Sequence, residues 1–133
     1  VPPLTAGPWK SRGMSLVWEQ VVVDARDPQT LGRWWVHALG WVVIADDPDE
    51  FEIRATQESM PGLLFLRVED DRVVKNRLHL DFRPDDQEVE VSRFLELGAS
   101  RIDIGQQDAT WVVLADPEGN EFCVLRGNPA QTG

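Results

Sequence analysis

The sequence predicts an α+β fold of two βαβββ modules in one chain, with curved mixed sheets enclosing one cavity. Three observations predict it. The order of strand-like and helix-like segments is written twice, the landmarks of the two copies keep a nearly constant offset, and a lone copy of about 55 residues buries too little surface to stand alone. The offsets are 59 residues from Gln20 to His79 and 58 residues from both Asp27 to Asp85 and Gly40 to Gly98.

In the first copy the run Leu16 to Asp24 reads as a strand. Asp27-Pro28 then supplies an N-cap side chain and a proline at the first helical position, where the missing N–H costs nothing. Leu31, Trp34, Trp35, Ala38 and Leu39 recur at three- and four-residue spacings, which gives the helix one apolar stripe until Gly40 ends it. Trp41 to Ala45, Phe51 to Thr56 and Leu63 to Val68 follow as strands. The second copy opens on Asn76-Arg77-Leu78-His79-Leu80-Asp81-Phe82, where apolar and polar residues alternate as in a half-buried strand. Asp85 or Asp86 caps the next helix; Val89, Phe94, Leu95 and Leu97 supply its apolar positions, and Gly98 stops it. Arg101 to Ile104, Thr110 to Ala115 and Glu121 to Leu125 complete the repeat.

Composition sets the frame around that plan. At 133 residues, with 42% hydrophobic and 27% charged side chains, the chain fits one folded domain rather than two, and it is not disordered. The domain is expected over 14–126, with modules at about 16–68 and 76–125. Residues 1–13, VPPLTAGPWKSRG, precede Met14 and are expected to be a vector-derived segment or a native arm that packs Trp9 onto the domain; 127–133 reads as a tail. No apolar run approaches a membrane span of roughly 18 residues, and no secretory signal pattern is present, so the expected location is cytoplasmic with no membrane partner. Thirteen Lys and Arg face 23 Asp and Glu, a formal charge of -10 that repels phosphate backbones and argues against a nucleic-acid partner. The single cysteine, Cys123, sits in the apolar run Phe122-Cys123-Val124-Leu125, has no second thiol to pair with, and reads as a core or pocket residue.

Certain short segments carry a resemblance. Asp116-Pro117-Glu118-Gly119-Asn120-Glu121-Phe122 is a tight turn, with proline at its second position and glycine at its fourth, leading into a strand that begins at Glu121. This segment, with Lys75-Asn76-Arg77-Leu78-His79-Leu80-Asp81 and Leu97-Gly98-Ala99, resembles the vicinal-oxygen-chelate superfamily. That group includes glyoxalase I, extradiol dioxygenases, methylmalonyl-CoA epimerase, and the fosfomycin and bleomycin resistance proteins. The middle segment is most similar to a glyoxalase-like branch common in actinobacteria. The resemblance covers about Leu16 to Leu125.

The resemblance implies where a metal would sit. Ligands in metal-using members lie on the first and last strands of each module, which maps onto Gln20, His79 and Glu121, with Glu121 alternatively the catalytic base. An amide oxygen, an imidazole and a carboxylate suit a divalent ion such as Zn, Ni, Co, Mn or Fe, able to polarise a carbonyl or bind an enediolate. The second ligand belongs on Leu63 to Val68, where pairing Pro61-Gly62 with Glu118-Gly119 sets Leu64 opposite Glu121 and leaves Leu66 next on that face. Both are apolar, so a four-ligand site is incomplete. The same residues also have plain structural readings. His79 can be a hydrogen-bonded pocket histidine, Glu121 can cap its turn or pair with Arg77 or Arg126, and Gln20 can be an ordinary polar strand residue. Asp81 either orients the His79 ring as an outer-shell partner or faces solvent. His37 reads as a surface histidine, and Trp111, with Leu64, Leu66 and Cys123, is expected to line the pocket.

Two functions of different class follow. One is a metal-assisted lyase, isomerase or dioxygenase. The other is a metal-free protein, without cofactor, that sequesters a small hydrophobic or aromatic compound. The partner expected in both is a small molecule, with a homodimer as the further expectation.

Overall fold

The computed structural model describes residues 17–71, 73, 74, 76, 78–102 and 110–127. Leu16, Arg77, Asp103 and Ile104, all placed in strands above, and Trp9 lie outside them. The elements run β1 (Gln20–Ala25), α1 (Pro28–Leu39), β2 (Val42–Asp46), β3 (Glu50–Arg54), β4 (Gly62–Arg67), β5 (Leu80–Phe82), α2 (Gln87–Leu97), β6 (Ser100–Arg101), β7 (Val112–Ala115) and β8 (Glu121–Val124). The βαβββ order is thus present twice. The strands form two four-stranded mixed sheets, ordered β1-β4-β3-β2 and β5-β8-β7-β6. In each, the first and last strands of the module pair in parallel and the remaining pairs are antiparallel.

Local chemistry fixes both helices. Asp27 caps α1, accepting from the Thr30 backbone N–H at 3.1 Å and its hydroxyl at 2.8 Å, and Asp86 caps α2 through Val89 N–H at 3.2 Å. Gly40 and Gly98 close them at φ of 70° and 111°, a left-handed backbone that a side chain would strain. The two C-terminal ends cap each other. Trp34 Nε1 donates to Leu97 O of α2 at 2.8 Å, while the Arg93 guanidinium donates to Ala38 O of α1 at 2.8 Å. Carbonyls that a helix end leaves without an intrahelical donor are satisfied across the module boundary.

The core is one continuous cluster. On the first sheet Phe51, Ile53, Leu63 and Phe65 share the buried face, because the register sets Phe51 opposite Phe65 and Ile53 opposite Leu63. Helix α1 lies against that face, with Gly32 directly over the Phe51 ring. Trp35 carries the cluster into the second module, its ring centroid 5.0 Å from Phe122 and 5.9 Å from Phe82. Phe94 of α2 packs on Phe122 from the same side, at 4.8 Å.

Candidate functional site

Strands β1 and β5 are the edges of their sheets, and a cavity of about 680 Å³ opens between them. Val21, Val22, Val23, Leu63, Phe65 and the α1 residue Trp35 come from the first module, and Leu80 and Phe122 from the second. The polar lining groups are Asp24, Asp70, Asp71, Asn76, His79, then Asp116, Glu118 and Asn120 of the turn before β8, and Glu121 at the start of that strand. Among the described lining residues, His79 is the only one with a basic side chain. Trp18 and Leu78 flank the opening, at 66% and 85% exposed.

Asp116 organises this wall. Its Oδ1 accepts from the N–H groups of Glu118 at 3.0 Å and Asn120 at 2.9 Å, while Oδ2 accepts from Trp35 Nε1 at 3.0 Å. The turn is therefore held both by its own backbone and by α1. Burial pushes the Asp116 carboxyl above the ordinary aspartate value, and the donors from Asn120, Trp35 and Glu118 pull against that rise. Glu118 reaches to the start of α1, accepting from the N–H groups of Arg26 at 2.7 Å and Asp27 at 3.0 Å. Arg26 also pairs with Asp71 at 2.6 Å, and its pKa is raised, chiefly by that hydrogen bond. Sequence reading found the turn but assigned Asp116 nothing beyond it. The signal was the tryptophan-rich helix, whose buried indole N–H needs an acceptor.

The residues marked from the sequence separate into groups. His79 and Glu121 both line the cavity. Glu121, only 6% exposed, opens β8 and accepts from the Asn76 backbone N–H at 2.9 Å. Of its other expected partners, Arg77 lies outside the described residues. Asp81 stands beside His79, Oδ1 to Nε2 at 3.2 Å. Gln20 is half-buried at the start of β1, opposite Gly62, and is not on the cavity wall. Leu64 and Leu66, expected to line the pocket, are not among the residues that line this cavity. They alternate with Leu63 and Phe65 and take the sheet face away from α1, the face of their register partners Val22 and Asp24, which on the edge strand β1 do reach the cavity. Trp111, expected on the wall, lies just before β7 at 41% exposed and does not line this cavity, whereas Trp35 and Trp18 do. Cys123 is buried at 3% and is off the cavity wall. His37 is exposed, as read from the sequence.

Of the donor set implied by the resemblance, His79 and Glu121 share the cavity wall. Gln20 is off the wall, Leu64 offers no donor atom, and the Glu121 carboxylate already takes a backbone N–H.

Comparison with known proteins places this architecture. No curated protein matches the chain. Among solved structures it is similar to a glyoxalase/bleomycin resistance protein/dioxygenase family enzyme from Burkholderia phytofirmans PsJN (TM-score 0.65, 18% identity, 80% of this chain and 95% of that one). It is similar too to the fosfomycin resistance protein FosX from Mesorhizobium loti (TM-score 0.63, 12% identity, 90% and 98% covered). A third is the bleomycin-binding protein of Streptomyces verticillus, solved with copper(II)-bleomycin (TM-score 0.57, 17% identity, 86% and 99% covered). At such identities the likeness concerns the fold. The family described as glyoxalase-like domain matches residues 20–125, the span that holds both modules and the cavity between them, and this chain belongs to that family.

Proposed function

We propose that this protein captures an apolar or aromatic small molecule in the cavity between β1 and β5, and that capture does not require an ion held by Gln20, His79 and Glu121. One observation carries the reading: a cavity of about 680 Å³ lined by Val21, Val23, Leu63, Phe65, Trp35 and Phe122 together with several carboxylates and His79. That size and that mixture of apolar lining with a few polar groups are the usual make-up of a small-molecule site, for which the range is roughly 300–1,000 Å³. The carboxylates on the wall select against anionic compounds and accept neutral or cationic ones. Binding of copper(II)-bleomycin by the Streptomyces verticillus protein lends support by analogy of fold.

The test uses the indoles already on the wall. Titration of the protein with 2-naphthol, followed by quenching of tryptophan fluorescence, is expected to saturate at one equivalent and to be unchanged by EDTA. Val23→Trp, which fills the cavity, is expected to abolish saturation while leaving the far-ultraviolet circular dichroism intact. Absence of saturable quenching in the wild-type chain overturns the reading. Quenching that is lost with EDTA and restored by a divalent ion moves the function to the metal-assisted class.

A further inference from the structure

The second sheet brings together three donor atoms that neither the capture reading nor the resemblance uses as a set. Asp81 and Cys123 are register partners across the parallel β5–β8 pair, so their side chains leave the same face of the sheet side by side. His79, two residues before Asp81, takes that face as well. One donor atom from each of His79, Asp81 and Cys123 lies within 4.8 Å of the other two. The His79 Nε2 to Asp81 Oδ1 separation is 3.2 Å. Two ligands bound tetrahedrally at about 2.0–2.1 Å stand roughly 3.3 Å apart, so that edge is already at ligand spacing.

We propose that His79, Asp81 and Cys123 form a transition-metal site on β5 and β8, one rung along the strands from the set that the resemblance implies. The chemistry of the donors selects the ion. A thiolate, an imidazole and a carboxylate form a borderline-soft set that suits Zn²⁺ or Co²⁺ and discriminates against Mg²⁺ and Ca²⁺, which take oxygen ligands. Binding replaces the Cys123 thiol proton with the ion and releases that proton to solvent. The buried thiol lies beneath the half-exposed imidazole and the exposed carboxylate, at 39% and 50% side-chain exposure, and those two groups give the ion its entry. Three protein ligands leave a fourth position for water or a ligand atom, as catalytic rather than purely structural zinc sites do. His79 also lines the cavity, so the site borders the space where the small molecule is held.

Cobalt reads the donor set directly. Titration of the reduced full chain with Co²⁺ is expected to give one equivalent of bound ion and a thiolate-to-cobalt charge-transfer band in the near ultraviolet. That band is expected to vanish in Cys123→Ser, and the affinity to fall by about tenfold or more in His79→Ala and Asp81→Asn. Gln20→Ala and Glu121→Gln are expected to keep the band. The proposal is overturned by bound cobalt without a charge-transfer band in the wild type, by no cobalt binding at all, or by unchanged affinity in Asp81→Asn. Because Cys123 is buried and its replacement can disturb folding, the partly exposed His79 and Asp81 variants decide the matter independently. Failure here leaves the EDTA-resistant capture of 2-naphthol untouched, and the two readings are separately testable.

Discussion

Two aspartates of this chain show how a carboxylate's surroundings set its proton affinity. Asp27 at the head of α1 is held below the ordinary value of 3.8, chiefly by the Thr30 hydroxyl and then by the Thr30 backbone N–H. Asp116 is pushed the other way by burial, although Asn120, Trp35 and Glu118 all donate to it. Their links to stability therefore have opposite signs. The Asp27 contribution is present above the ordinary aspartate value and is lost as pH falls through the lowered one. The Asp116 contribution is present below the ordinary value and is lost as pH rises through the raised one. Carbon-detected NMR titration of the side-chain carboxyls is expected to give a midpoint below 3.8 for Asp27 and above it for Asp116. The reverse order would mean that Asp116 is far more hydrated than its 4% exposure indicates.

Within α1, Gly32 stands in the middle of a helix, where glycine ordinarily weakens the structure by up to about 1 kcal/mol relative to alanine. Its reason is steric. A Cβ built there collides with the Phe51 side chain of β3, and Phe51 is fully buried with no room to swing aside. Gly32→Ala gains the intrinsic helix preference and loses more to overpacking, for a net destabilisation of about 1–3 kcal/mol in urea unfolding. An alanine variant as stable as the parent, or more so, would show that α1 does not sit this close to the sheet. The helix itself was legible from Asp27-Pro28, the apolar stripe and Gly40. The close approach at Gly32 was not, because only the packed sheet supplies the atom in the way.

At the scale of the whole molecule, the two modules share one hydrophobic cluster and cap each other's helices. Trp35 meets Phe82 and Phe122, Trp34 donates to Leu97 O, and Arg93 donates to Ala38 O. Neither module can open without exposing the other's core. Thermal unfolding followed by far-ultraviolet circular dichroism and by tryptophan fluorescence is expected to trace a single coincident transition. Two separated transitions would instead mean that the modules are independent folding units.

The doubled βαβββ order, the helix caps, the strand sequence and the family resemblance were all determined by local pattern. Caps, turns and apolar periodicity are short-range facts, written within a few residues of one another. His79 and Glu121 were marked through the resemblance, which sets ligands on the first and last strands of each module, and both lie on the cavity wall. Which apolar residues face the cavity was decided only by the tertiary structure. On the edge strand β1 residues of both faces reach it, whereas on β4, one strand in, Leu63 and Phe65 line it and Leu64 and Leu66 do not. The same holds for Cys123, which sequence alone reads as one more apolar residue. Its place beside Asp81 and His79 exists only because β5 and β8, some forty residues apart in the chain, pair in parallel at that register.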